Sequence, residues 1–149
     1  MFNGRFDHAI DDKGRVSIPV RFREVLQRDG HDRLYITNFM VDGEPCLELF
    51  PPSEWERVVA KFSGGRALDR ETQLFETFYI GGAHDVQVDR QGRILIPPKL
   101  RDFGRLGREV TFSAKHNRFE LWDRATLDRI LASALERMKD PEFLARINF

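Results

Sequence analysis

Residues 11–23 read DDKGRVSIPVRFR, and residues 89–101 read DRQGRILIPPKLR. Matching Gly14 to Gly92 pairs Asp11 with Asp89, Arg15 with Arg93, Val16 with Ile94, Ile18 with Ile96 and Pro19 with Pro97. The match runs on through Arg21 with Lys99, Phe22 with Leu100 and Arg23 with Arg101. A looser one sets CLELF (46–50) against RFELW (118–122), and each half then enters a helix. The same order of elements twice in 149 residues is an internal duplication. Each half offers roughly 50 structured residues and four short strands, near the lower limit for independent folding. The halves are therefore expected to share one core, a β-barrel related by an internal pseudo-twofold.

Within the first half, Phe6, His8 and Ile10 alternate with Arg5, Asp7 and Ala9, the period of a half-buried strand. Val16 and Ile18 alternate with Arg15 and Ser17, which predicts a strand–turn–strand hairpin. Pro19 suits a helix's first position, and VRFREVLQ supplies a short helix with Phe22, Val25 and Leu26 inward. LYITNF and CLELF read as two further strands around a Gly-containing loop. Ser53 and Glu56 have the spacing of a capping box, ahead of Trp55, Val58, Val59 and Phe62 on one helical face. Asp123 is placed to cap a last long helix carrying Leu127, Ile130, Leu131, Ala134, Leu135 and Met138. Glycine pairs at 64–65 and 81–82 bracket a connecting helix with Leu74, Phe75, Phe78 and Tyr79, and read as hinges. The division expected is one domain over 1–149: a first repeat at 5–62, a connecting helix at 66–82, a second repeat at 83–140 and a tail at 141–149. In the tail, Phe143, Leu144 and Ile147 suit docking on the protein itself or a neighbouring subunit.

Composition narrows the function classes. Hydrophobic content of 41% and charged content of 32% describe a globular chain. No apolar run has the length to cross a bilayer, and the charged N-terminal stretch MFNGRFDHAID does not fit a signal peptide, so no membrane or secretory role is expected. The single Cys46 has no internal disulfide partner and fits a reducing cytoplasm. Formal net charge is +0, but the charge is polarised along the chain. Residues 88–118 carry eight basic against three acidic residues, a net +5, whereas 38–80 carry four against eight, a net −4.

In the repeated phrase, glycine supplies the positive φ of a tight turn, and aspartate accepts N–H groups from the turn itself. Asp11, Gly14, Asp89 and Gly92 are thus explained as loop-structuring. The arginines admit two readings. One is a local ion pair, Arg15 with Asp11 or Asp12 and Arg93 with Asp89, worth up to about 1 kcal/mol if exposed. The other is recognition, since a guanidinium fork grips a phosphate or the O6/N7 edge of guanine. Duplication favours the second, because two arginines on related loops suit a repeating polymer such as double-stranded DNA. On that reading Arg15 and Arg93 contact base edges, while Lys13 and Arg90 neutralise phosphates. Arg21, Arg23, Lys99 and Arg101 are weaker candidates, equally suited to pairing with Asp11, Glu24 or Asp102.

An enzyme is not expected. His8, His31, His84 and His116 lack metal-ligand spacing, Cys46 falls in a strand, and Ser17 becomes Leu95 in the second repeat. No catalytic residue, metal or cofactor is assigned.

Four stretches resemble the MraZ family of bacterial transcriptional regulators, in that family's order and from Met1 to about residue 130. They are MFNGRFDHAIDDKGRVSIPVRFRE, CLELFPPSEWERV, GGAHDVQVDRQGRILIPPKLR and NRFELWD. The resemblance implies an α+β, mainly β fold: a double-split, swapped-hairpin β-barrel of two tandem AbrB-like repeats with flanking helices. It further implies a cytoplasmic, nucleoid-associated DNA binder acting on short repeats upstream of its own cell-division and cell-wall gene cluster, and assembly into rings. The family's Asp-x-x-x-Arg signature maps onto Asp11 and Arg15, and again onto Asp89 and Arg93. Two departures fall outside it, Ala114-Lys115-His116 before NRFELW and Thr77 in the connecting helix. The alternative is an antitoxin-like module that caps a partner protein, as related barrels do.

Overall fold

The computed structural model describes residues 1–63 and 69–149. The first half contributes β1 (Arg5–Ala9), β2 (Arg15–Ser17), α1 (Val20–Arg28), β3 (Arg33–Val41), β4 (Glu44–Phe50) and α2 (Pro52–Ala60). After α3 (Arg70–Tyr79) the second contributes β5 (His84–Gln87), β6 (Arg93–Leu95), α4 (Pro98–Phe103), β7 (Glu109–Ala114) and β8 (Phe119–Asp123). Helices α5 (Arg124–Met138) and α6 (Pro141–Arg146) follow. The fold is α+β and mainly β. The glycine pair at 64–65 and the first residues of the expected 66–82 helix lie outside the described residues.

β3–β4 and β7–β8 pair as local hairpins, but the strands that flank the repeated turns do not. β1 and β2 flank a turn closed by Gly14 N–H donating to Asp11 O at 3.0 Å and Asp11 N–H to Arg15 O at 2.9 Å. Beyond it they part: β1 pairs with β7, and β2 pairs with β6. The expected strand–turn–strand hairpin is therefore split between the halves. A lone two-stranded hairpin is marginal in water. Crossing over instead buries Val16, Ile18, Ile94 and Ile96 almost completely.

The larger sheet is antiparallel in the order β1-β7-β8-β4-β3-β5. Exchanging the halves and reversing this order reproduces it, which is the pseudo-twofold in topological form. Its axis passes between Val16 and Ile94 in the β2–β6 ribbon, and between Glu48 and Glu120 in the sheet. One core cluster draws on both halves, with Leu34, Ile36, Leu47 and Leu49 against Val110, Phe112, Phe119 and Leu121. Phe22 and Leu26 of α1 and Leu100 of α4 close it.

β4 is buried on both faces. Its back face meets β8 where Glu48 and Glu120 stand opposite each other, 1% and 3% exposed. Directly opposed like charges are unfavourable, and each is compensated separately. Arg118 Nε donates to Glu48 Oε2 at 2.9 Å, and Tyr79 O–H donates to Glu48 Oε1. Trp122 Nε1 donates to Glu120 Oε1 at 2.9 Å, with Lys115 Nζ an ion-pair partner 2.8 Å from Oε2.

Helix ends depart from the sequence reading. Pro19 is the N-cap residue of α1, not its first helical residue. The Ser53–Glu56 capping box does not form, because Pro51 is the N-cap and Pro52 starts α2 with a preset φ. Asp123 is the N-cap of α5 without a cap bond, since its Oδ1 accepts Gly107 N–H at 3.0 Å. Val59, Leu135 and Met138, expected inward, are exposed, as are Leu74, Phe75 and Phe78 on α3, while Tyr79 is buried. Gly81 and Gly82 serve close packing: an added Cβ would meet Thr77 O at 2.4 Å and Asn38 Oδ1 at 2.0 Å, respectively. In the tail, Phe143 lies under the Arg137 guanidinium at 5.9 Å, but Ile147 and Phe149 remain exposed.

Candidate nucleic-acid interface

The two repeated turns are built alike. Asp11 Oδ1 accepts the backbone N–H groups of Lys13 and Arg15, each at 2.9 Å, and its Oδ2 accepts Arg15 Nε–H at 2.8 Å. Asp89 accepts from Gln91 N and Arg93 N at 2.9 Å, and from Arg93 Nε at 3.0 Å. The Arg15 N–H and guanidinium hold the Asp11 carboxyl down to about 2, and Asp89 is lowered by the same causes. Gly14 and Gly92 take φ of +86° and +77°, which a side chain resists.

The local ion pair and the recognition reading are thus compatible. Each pair uses Nε, which leaves Nη1 and Nη2 uncommitted among the described residues. An arginine tethered through Nε has lost much of its rotamer freedom before it meets a ligand, so binding costs less ordering.

Sequence places the two arginines on separate loops; the structure brings them onto one surface. In the β2–β6 ribbon Val16 and Ile94 face the core, so Arg15, Ser17, Arg93 and Leu95 share the outer face. Arg15 stands opposite Leu95 and Arg93 opposite Ser17, which makes the arginines a diagonal pair about 7–8 Å apart. Gly92 O accepts Ile18 N–H at 2.8 Å, and Gly14 O accepts Ile96 N–H at 3.0 Å. These bonds set the turns at opposite ends of the ribbon, about 13 Å apart by strand rise. Lys13 and Arg90 are exposed at the two tips.

The weaker candidates separate into two kinds. Arg21 and Lys99 are exposed in the first turns of α1 and α4, helices with no acidic residue there. A cation at that end opposes the helix dipole, so the helices themselves do not call for them. Arg23 and Arg101 are half-buried and reach the other half's turn instead of Asp11, Glu24 or Asp102. Arg23 Nη1 lies 3.5 Å from Gln91 O, and Arg101 Nη1 lies beside Gly14. No sequence signal announces these contacts, because each joins residues from different repeats.

Among the described residues no group of three or more His, Cys, Asp or Glu side chains could hold a metal ion. Cys46 is buried, and burial raises its thiol well above the ordinary range. No described helix is long and apolar enough to cross a membrane.

With this arrangement the chain matches the family model “MraZ protein, putative antitoxin-like” over residues 1–76 and 79–145. It belongs to the MraZ family. A relative named transcriptional regulator MraZ in Shewanella baltica is 37% identical over 143 residues, 95% of this chain and 92% of the relative. The one from Syntrophobacter fumaroxidans is 40% identical over 127 residues, 85% and 82% of the two chains, and one from Pseudomonas putida is 33% identical over 141 residues, 95% and 92%. These relatives are named for regulating transcription, a role that is not enzymatic.

Proposed function

We propose that this transcription regulator binds double-stranded DNA through the outer face of the β2–β6 ribbon. The observation that carries the reading is the pair of tethered arginines on one exposed two-stranded ribbon, with a cationic tip at each end. A major groove about 12 Å wide admits such a ribbon, and Arg15 and Arg93 address guanine O6/N7 edges there. Lys13 and Arg90 neutralise flanking phosphates, and Arg21 and Lys99 extend the cationic rim.

One ribbon reading two bases supplies only about 1–3 kcal/mol of discrimination per contact. Useful specificity follows when several subunits engage short repeats in the protein's own promoter, upstream of cell-division and cell-wall genes. Exposed Leu74, Phe75 and Phe78 on α3 offer an apolar contact for such a homo-oligomer. A ring-like, nucleoid-associated assembly in the cytoplasm completes the proposal. With a net charge of +0, non-specific affinity rests on a few cations per subunit, so the salt dependence is shallow.

The test is a gel-shift series on the promoter at fixed salt. Arg15→Ala and Arg93→Ala each weaken binding roughly tenfold or more, within the range of a lost bidentate base contact. Unchanged binding in both variants refutes the reading. The same α3 face suits a protein-capping, antitoxin-like role, and a stoichiometric protein partner copurifying in place of promoter DNA decides for it.

A further inference from the structure

The two turns have the same internal hydrogen bonds but different support. Behind the second turn, Arg23 of α1 lies flat against Gly92. A Cβ built on Gly92 would sit 2.2 Å from Arg23 Nη1, 2.5 Å from Cδ and 2.7 Å from Cζ. Arg23 Nη1 also reaches Gln91 O at 3.5 Å, while its Nε is enclosed without a hydrogen-bond partner. An enclosed unpartnered N–H is unfavourable. The placement therefore reflects what the stem and fork pack against.

Behind the first turn the equivalent Arg101 of α4 stands off. A Cβ on Gly14 would meet Arg101 Nη1 at 3.5 Å, Leu95 Cδ1 at 3.6 Å and Ile96 O at 3.9 Å, all ordinary contacts. A cleft of about 340 Å³ opens there between Lys13, Leu95, Arg101 and Asp102. The space beside the second turn, between Arg23, Asp89 and Arg90, is about 140 Å³.

We propose that Arg23 is a positioning residue: rooted in the first half, it packs on Gly92 and pre-orders the turn that carries Arg93 in the second. The turn that carries Arg15 has no equivalent brace and is held by its own Asp11 bonds alone. The two halves of the ribbon are then unequal readers, one braced from the other half and one held only within its own turn. The consequence for recognition rests on the DNA-binding reading above, but the bracing itself does not. Pre-ordering lowers the entropy lost on docking and adds no new contact to the ligand.

Arg23→Met keeps the stem and removes the fork. In the free full-length protein, amide exchange at Gln91 and Arg93 is expected to accelerate at least tenfold, with Lys13 and Arg15 unchanged. On promoter DNA the same variant loses roughly tenfold in affinity with an unchanged slope of log affinity against log salt. A residue that contacts phosphate would instead reduce that slope by about 0.9. Gly92→Ala adds a second handle. It lowers the melting temperature more than Gly14→Ala in the native background, and equally once Arg23 is alanine. Unchanged exchange at Gln91 and Arg93, or a slope reduced by about one, overturns the proposal. Accelerated exchange at those amides, together with Arg15→Ala and Arg93→Ala variants that both bind DNA normally, sustains the brace and removes the DNA-binding reading.

Discussion

Asp11 accepts three N–H groups from two residues, and that concentration of donors lowers its carboxyl to about 2. A carboxylate depressed on folding contributes stability that is present above the ordinary Asp range and disappears as pH falls through the folded value. The Asp11 turn is therefore expected to be unaffected between neutral pH and about 4, and to open as pH drops toward 2. Carboxyl titration by NMR, read with exchange of the Lys13 and Arg15 amides, checks this. A midpoint at the ordinary Asp value with intact amide protection at pH 3 contradicts it. The roles of Asp11, Gly14, Asp89 and Gly92 are legible in sequence because the bonds involved span at most four residues. Arg23 on Gly92 is not legible, since 69 positions separate them and only the cross-half pairing of β2 with β6 brings them together.

Elements are legible where burial imposes a period, and ambiguous where two local devices compete for one boundary. Alternation locates β1 and the inner face of β2, and the i, i+3, i+4 pattern locates α1, α2 and α5. The start of α2 shows the competition. Ser53 and Glu56 have capping-box spacing, yet Pro51-Pro52 begins the helix earlier and leaves Ser53 inside its first turn. Ser53 Oγ instead meets His31 Nε2 at 3.3 Å in an exposed contact. Ser53→Ala is accordingly expected to cost less than about 0.5 kcal/mol, in the range of ordinary surface changes. Asp69 does cap α3, accepting Glu71 N–H at 3.2 Å and Thr72 Oγ1–H at 3.3 Å. Asp69→Ala should cost about 1 kcal/mol. Urea unfolding of the two variants decides the matter, and a Ser53→Ala cost as large as that of Asp69→Ala would restore the capping box.

At the scale of the whole molecule, duplication implies a shared core but not which strand pairs with which. Turn chemistry alone favours a local hairpin. What overrides it is burial of Val16, Ile18, Ile94 and Ile96 between the halves, available only if β2 leaves β1 for β6. The interleaving makes a strong demand on either half alone. Residues 1–63 by themselves keep β3–β4 but lose β7 from β1, β6 from β2, β8 from β4 and β5 from β3. A monomer of that length would expose four strand edges and half of the apolar cluster. The palindromic sheet order supplies a substitute for every lost strand, since a second copy's β3, β4, β1 and β2 correspond to β7, β8, β5 and β6. The isolated segment is thus expected to be unfolded at low concentration and to fold only as a homodimer, with Val16 facing its own copy across the ribbon. Circular dichroism across a concentration series, paired with sedimentation equilibrium, measures this directly. A folded monomer would show that the halves are self-sufficient and that the split of the hairpin is not what holds the core together.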